Sequence, residues 1–428
     1  MRGALQLAEQ KYHQLKAISY QVESANKNVE VVKYSKLPSL DASYQLNIAT
    51  ANNITGLFFP TGILPMTGPP SFKNNYAPVT GSAASLLLNW QAITFGQQNT
   101  QIKVAASQAL SEKARFQEEL FKTKIQVIST YLDLLLDYDL VAIQDQNIHR
   151  TQFILDQSRV LANNGIRPGL DTALFLSELS KAKVEWLRSR QQLQTRQLLL
   201  AQLLVLDVLP VPADSSFLNL LPTIPSYSDS TFNNHPFVQF AQSQLEVNKW
   251  KEQLLKKSYL PKLTVFGIAF ARGSGVLADG RTKFSEGISF SRYNYGTGVQ
   301  LIFPILKYGE VKRQMLVQNF LSKSSEELIL QSKTELTAQQ RIANTTFFSS
   351  LSVAEETEHQ LRSALYAFNA MQTRYSTGLV SLSDVIQVQF NLLQAELEVK
   401  KSHWDAWKAL LLYASIRGDI NFFLNEIR

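Results

Sequence analysis

Apolar residues recur along this chain at two different periods. Phe121, Ile125, Ile128, Leu132 and Leu135 step by 4, 3, 4 and 3. Val385, Val388, Leu392, Ala395 and Val399 step by 3, 4, 3 and 4. That is a heptad seam, and it predicts helices in a left-handed supercoil. A second stripe, Ile102, Ala109 and Phe116, steps by seven. One stripe suits a two-stranded coil. An extra stripe suits helices with neighbours on both sides, as in a helical barrel, although a solid bundle core gives the same periodicity. Elsewhere the period is two. In LDASYQLNIA, Leu40, Ala42, Tyr44, Leu46 and Ile48 share one face, and Asp41, Ser43, Gln45 and Asn47 the other. YNYGTGVQLIFP sets Tyr293, Tyr295, Val299, Leu301 and Phe303 against Asn294, Gly296, Gly298 and Gln300. LTVFGIAFA from Leu263 and VTGSAASLLLNW from Val79 alternate less cleanly. Period two predicts strands, here four of them.

The pattern occurs twice. Gly165 and Gly378 sit in short breaks between long apolar-periodic stretches, and 378 − 165 = 213. Asp171 and Asp384 follow those breaks at the same offset (384 − 171 = 213), as do Gly96 of TFGQ and Gly309 of KYGE (309 − 96 = 213). Pro38 of KLPSLDASYQL and Pro261 of YLPKLTVFGIA differ by 223, so the first copy holds a loop longer by ten residues. Each unit therefore reads as an opening helix (1–37; 237–260), a strand pair with its loop (38–92; 261–305) and a long helical hairpin (95–209; 308–417). Residues 210–236, rich in proline, and 418–428 are connectors. Neither Gly nor Pro interrupts the 69 positions from Gly96 to Gly165 or from Gly309 to Gly378. Helical rise makes each such stretch roughly 100 Å long. The helices after the breaks, Leu170–Leu209 and Leu379–Arg417, are roughly 60 Å long. Stacked on an opening helix of Ala4–Leu37 or Phe237–Leu260, each could match a long one.

Each extended segment is about as long as a transmembrane β-strand. A soluble sheet with one wet face gives the same alternation. Aromatics favour the membrane: Trp90, Tyr259, Tyr293, Tyr295 and Phe303 lie near strand ends, where an interfacial girdle belongs. The long apolar loop NITGLFFPTGILPMTGPPSF suits packing against other loops or chains. Four strands cannot close a barrel, and lipid tolerates no open edge. Several chains must then share one barrel, with eight strands from two chains or twelve from three.

Composition narrows the classes. The 428 residues include 18% charged and 45% hydrophobic positions, with a net charge of +7 spread among acids. Nucleic acid is a poor fit to so diffuse a charge. Mean hydropathy is −0.10, and no run approaches eighteen apolar residues, so no transmembrane helix is expected. The absence of cysteine excludes disulfides, thiolate metal sites and cysteine catalysis. His13, His149, His235, His359 and His403 lack metal-ligand spacing. The glycines of GSG (Gly273–Gly275) and GTG (Gly296–Gly298) lack the rest of a phosphate loop. Asp133, Asp137, Asp139 and Asp145 would line a cation-tolerant tunnel if they faced inward; a solvated outer face explains them equally. No catalytic constellation, cofactor site or metal site is visible, which suits a passive duct rather than an enzyme.

On these features the chain resembles the TolC-like outer-membrane efflux proteins. The resemblance covers nearly the whole length and rests on the two-fold repeat, the LPSLDASYQL and YLPKLTVFGIA strand starts, the TFGQ and KYGE helix starts and, most specifically, RYSTGLVSLSDV. It implies a mainly α fold with a small β part. In a homotrimer, coiled-coil helices would form a periplasmic α-barrel, and four strands per chain a twelve-stranded barrel in outer-membrane lipid. It also implies a periplasmic adaptor and an inner-membrane transporter as partners, with drugs, metal ions or other small molecules conducted outward. A type I protein-secretion duct and a soluble coiled-coil scaffold are the alternatives. The family's precursors carry a signal peptide. The opening MRGALQLAEQKYHQLKA lacks a charged segment followed by an apolar one and reads as an amphipathic helix. The expectation is that such a peptide has been removed.

The two breaks then become periplasmic tips. Gly165 and Gly378 supply positive φ after a helix end. Asp171 and Asp384 lie where a carboxylate meets the positive end of the next helix, and Ser381 and Asp384 have capping spacing. Gly165, Asp171, Gly378 and Asp384, together with Ile166, Leu170, Leu379, Val380 and Ser383, form the expected adaptor-docking surface. The first tip departs from the pattern, with Arg167, Pro168 and Gly169 in GIRPGLD against GLVSLSD. Pro168 suits a helix start. Arg167 is a candidate tip gate through a carboxylate, or simply a solvated loop charge. Val380 stands at the aligned position, so no duplicated ionic lock is expected.

Overall fold

The computed structural model describes residues 1–53, 70–166, 168–208, 210–211, 216–223 and 232–427. Eight helices and four strands follow in the order α1 (Arg2–Lys11), α2 (His13–Tyr34), β1 (Ser39–Ala49), β2 (Val79–Ile93), α3 (Gln97–Asn163), α4 (Gly169–Leu204), α5 (Pro236–Ser258), β3 (Lys262–Ser274), β4 (Arg292–Ile302), α6 (Lys307–Ser376), α7 (Leu382–Arg417) and α8 (Ile420–Glu426). The fold is mainly helical with one small sheet, as the periods imply. The repeat reaches individual boundaries. α3 and α6 end 213 residues apart (376 − 163), α4 and α7 begin 213 apart (382 − 169) and end 213 apart (417 − 204).

The elements differ from the sequence pattern at three places. The opening helix is broken at Tyr12, whose ψ of 118° is extended. Neither Gly nor Pro marks that point. α4 stops at Leu204 rather than Leu209, because Val205 turns left-handed (φ 53°). Leu206 N–H then bonds the Ala201 carbonyl at 3.0 Å. In the second copy Gly418 holds that place (418 − 205 = 213), with φ 73° and the matching Asp419 N–H to Ala414 bond. Gly96 and Gly309 also differ: Gly96 has φ 90° ahead of α3, whereas Gly309 lies inside the first turn of α6.

The chain divides into two units. One comprises Met1–Glu23, Leu110–Leu245 and Ser324–Arg428. Its largest core joins Val127, Ile128, Leu132 and Leu135 of α3 to Leu200 and Leu204 of α4, Trp407 and Leu410 of α7 and Phe423 of α8. The heptad seams are buried as their period requires, with Ile125 and Val388 half-buried. Of the second stripe only Ala109 is buried; Ile102 and Phe116 are half-buried. The connector docks on α7, where His403 Nδ1 meets the Leu218 carbonyl (3.0 Å) and Trp407 Nε1 donates to that of Leu220 (3.0 Å).

His235 ties this unit together in its neutral form. Nε2–H faces the Ser415 carbonyl at 3.1 Å, Nδ1 accepts the Phe237 N–H at 3.3 Å, and Phe121 meets the ring edge-on. Burial pushes its pKa below the ordinary value, against the weaker pull of Ser415 and Glu118. As pH falls through about 6.5 the unfolded chain therefore takes up a proton before the folded one, and stability is lost. The melting temperature is expected to fall between about pH 7.5 and about pH 5.5, and His235→Gln, which does not titrate, to flatten that slope. An unaltered slope in the variant would refute this assignment.

The second unit, Ser24–Ala109 and Glu246–Lys323, contains the sheet. Its four strands are antiparallel in the order β1-β2-β3-β4, so β1 and β4 form the edges. A bulge between Gln91 and Ile93 ends the β2–β3 ladder on the helix side.

Candidate functional site: hairpin tips and sheet faces

Both tips are closed by one motif. Gly165 N–H bonds the Ala162 carbonyl (3.0 Å) and Ile166 N–H that of Leu161 (3.0 Å). At the second tip Gly378 bonds Tyr375 (3.0 Å) and Leu379 bonds Arg374 (2.9 Å). This paired pattern needs a left-handed residue, and the glycines have φ 72° and 78°. Gly378→Val should cost about 1–2 kcal/mol through that φ alone, although its Cβ would meet nothing within 4 Å. Faster hydrogen exchange around residues 374–380 is the readout, and unchanged exchange would refute the estimate.

The starts of the next helices differ. Ser381 and Asp384 form a reciprocal capping box: Ser381 N–H donates to Asp384 Oδ2 (3.0 Å) and Ser381 Oγ accepts the Asp384 N–H (3.3 Å). The Ser381 hydroxyl and N–H hold the Asp384 carboxyl below its usual range. Ser383 is exposed beside them. At the first tip Pro168 caps α4 without a side-chain bond, and Asp171 instead lies 3.5 Å from the Tyr375 hydroxyl. Tyr375 is wholly buried, edge-on to Phe175 at 6.1 Å. Leu179, Phe368, Leu382 and Val385 complete this core, with Val380 half-buried against it. Ile166, Leu170 and Leu379 stay 60%, 66% and 71% exposed. The tips thus present three apolar side chains, and Val380 is turned towards the core. Arg167 lies outside the described residues.

The four aspartates are not an open lining. Arg196 bridges Asp133 (3.2 Å) and Asp137 (3.3 Å), while Lys408 reaches Asp133 at 2.8 Å. Burial raises the Asp137 carboxyl above its usual range, against the bonds from Arg196 and Gln192. Asp139 pairs with Lys400 at 3.0 Å. Only Asp145, with His149 at 3.5 Å, remains a surface charge. The other three are ion-paired and link α3 to α4 and α7. Near them Arg150 grips Glu396 with two bonds of 2.6 and 2.5 Å, and buried Gln389 donates to Asn147 and Thr151. Sequence reading missed these pairs, as it missed Tyr375 and Phe175.

The ladder sorts the sheet into two faces. Rows such as Ala42–Leu86–Ala269–Tyr295 and Tyr44–Ala84–Ala271–Tyr293 carry the first. All its residues, from Leu40 to Ile48, Thr80 to Trp90, Leu263 to Gly273 and Tyr293 to Leu301 in alternation, are uncharged. The second face carries Asp41, Ser43, Gln45, Asn47, Asn89, Asn294 and Gln300, together with Leu87, Phe266, Ile268 and Phe270. Aromatics stand at both ends of the first face. Trp90, whose Nε1 donates to the Lys36 carbonyl, lies towards the helices, with Tyr259 and Phe303 following just beyond the strands. Tyr293 and Tyr295 lie towards the loops. Trp90 shares a row with Val299, six residues from Tyr293 (299 − 293), or about 20 Å along the strand.

One face of the sheet is uncharged, and α3 and α6 follow β2 and β4 in the chain. The sequence profile of outer membrane efflux proteins matches residues 4–205 and 229–408, one match per repeat. The chain belongs to the outer membrane efflux protein family. As a member it is an efflux channel of the bacterial outer membrane with a large periplasmic part. Solved structures share the fold. The CmeC outer membrane channel of Campylobacter jejuni is 14% identical, with a TM-score of 0.76 over 97% of this chain and 85% of that one. The outer membrane protein VceC of Vibrio cholerae is 11% identical, with a TM-score of 0.74 over 98% and 96%. CusC is 12% identical, with a TM-score of 0.78 over 98% and 92%. No curated protein sequence matches the chain. Among the described residues no helix is long and apolar enough to cross a membrane, and no acidic, His or Cys group could hold a metal ion.

Proposed function

We propose that three copies of this efflux protein close one barrel and one tunnel, a passive duct from an inner-membrane transporter to the exterior. One observation carries it: among the described residues the sheet has four strands, two edges without partner strands and one face without charge. Lipid leaves such edges unsatisfied, so each β4 pairs with the β1 of the next copy. Three copies give twelve strands, a barrel with a wet interior. Residues 38–92 and 261–305 would then be the barrel and its outer loops, with Trp90, Tyr259, Tyr293, Tyr295 and Phe303 at the lipid interfaces. Residues 95–209 and 308–417 would be the periplasmic hairpins.

The tips are the docking surface in this reading. Exposed Ile166, Leu170 and Leu379 offer apolar purchase to a periplasmic adaptor, and Asp384 a fixed negative charge beside it. The native mass of detergent-extracted protein tests the assembly: three chains are expected, and a monomer that needs no detergent would overturn it. Ile166→Asp with Leu379→Asp should abolish export while leaving the trimer intact. Normal export by that variant would remove the tips from the docking role.

A further inference from the structure

Two arginines face each other near the loop end of the sheet. Arg272 of β3 is directly opposite Arg292 of β4, in the row Gln45–Ala83–Arg272–Arg292. That row belongs to the polar face. Like charges at opposed positions destabilise a ladder, yet both residues are exposed, and neither forms an ion pair among the described residues. Their planes are held by other contacts: Arg272 lies over the Phe270 ring at 5.6 Å, and Arg292 Nη1 donates to the Ser291 carbonyl at 2.9 Å.

The surrounding chain offers little to neutralise them. The β1–β2 connection, residues 50–78, contains no Asp or Glu and one cation, Lys73. In the β3–β4 connection Asp279 is taken by Arg281 (2.6 Å) and Glu286 by Lys283 (2.6 Å). Over residues 50–78 and 272–292, five cations (Lys73, Arg272, Arg281, Lys283, Arg292) face two acids (Asp279, Glu286), a net +3 per chain. The nearest carboxylate on the same face of the strands, Asp41, is four residues along β1 from the row, or about 13 Å.

We propose that Arg272 and Arg292 form an anion-binding collar at the outer mouth of the pore, with solutes bearing several carboxylates or phosphates as its ligands. The inference rests on the trimeric-barrel reading, which turns one pair into six guanidinium groups around the polar interior. Guanidinium is a planar fork matched to both oxyanions and stays charged at any working pH. A ring of one sign within low-dielectric walls concentrates counter-ions. The collar therefore draws anions into the last part of the path and favours anionic cargo there.

Trimers reconstituted in planar bilayers test this, with inorganic pyrophosphate as the probe. Pyrophosphate added on the loop side should block current, and roughly tenfold more should be needed for R272Q/R292Q. The reversal potential in a KCl gradient should lie closer to that of chloride for the wild type than for the variant. R292E, which makes an opposed ion pair, should melt higher as a trimer and lose the block. Equal block and equal reversal potential in a conducting, trimeric R272Q/R292Q channel would overturn the collar and leave the barrel standing. A native mass other than three chains, with no conductance, would overturn both.

Discussion

Tyr375→Ala is expected to unfasten the hairpin tips at a cost of about 3–5 kcal/mol, the range for emptying a buried aromatic site. The ring is wholly buried between the end of α6 and the first turns of α4. Its edge-to-face partner Phe175 adds about 0.5–1.5 kcal/mol beyond area. Its carbonyl also receives the Gly378 N–H, so the residue that fills the core helps to close the turn. Tyr375→Phe keeps the ring and removes only the hydroxyl, which lies 3.5 Å from Asp171 Oδ2, so it should cost less than Tyr375→Ala. Phe175→Ala should mimic Tyr375→Ala from the other hairpin. Hydrogen exchange over residues 170–179 and 375–385 reads both. If those segments keep wild-type protection in Tyr375→Ala, the ring does not hold the tips. In the proposed duct, loosened tips would also offer the adaptor a less defined surface.

Much of this architecture is legible in the sequence because it was written twice. Landmarks at Gly165 and Gly378 share the offset at which helices end and begin. Where the copies diverged, legibility fails. Gly418 announces the end of α7, but Val205 at the equivalent place looks like helix interior, and the α4 boundary is misread by five residues (209 − 204). The strands show the same logic. β1 and β4 alternate cleanly because one face is polar along most of its length. β3 does not, because Phe266, Ile268 and Phe270 occupy its polar-face positions. There Phe266 covers Gly298, where an added Cβ would fall 2.5 Å from the ring. A bulky residue opposite glycine is a cross-strand fit, invisible to any window on one strand. Long-range ion pairs are hidden for a similar reason. Arg150 and Glu396 are 246 residues apart, and each looks like an ordinary helix-surface charge.

That pair should show a large polar effect. Arg150 and Glu396 face each other across α3 and α7 with about a fifth of each side chain exposed. Two parallel bonds make the contact bidentate, a geometry that lysine could not reproduce. Breaking such a pair from one side costs more than removing it from both, because the remaining charge stays buried without a partner. Glu396→Ala should therefore destabilise by about 3 kcal/mol, and Arg150→Met with Glu396→Leu by less. The double-mutant cycle from denaturant midpoints gives the coupling. A double-variant cost equal to the sum of the Arg150→Met and Glu396→Leu single costs would show that the pair contributes no coupling. A large coupling would make it a registration point. Sliding α7 by one turn along α3, about 5.4 Å, would separate these charges and pull buried Gln389 away from Asn147 and Thr151. The seam of Val385, Leu392, Ala395 and Val399 accepts a heptad shift with little loss, since apolar contacts are non-directional. The ion pair does not, so it selects among registers that the hydrophobic pattern leaves nearly equal.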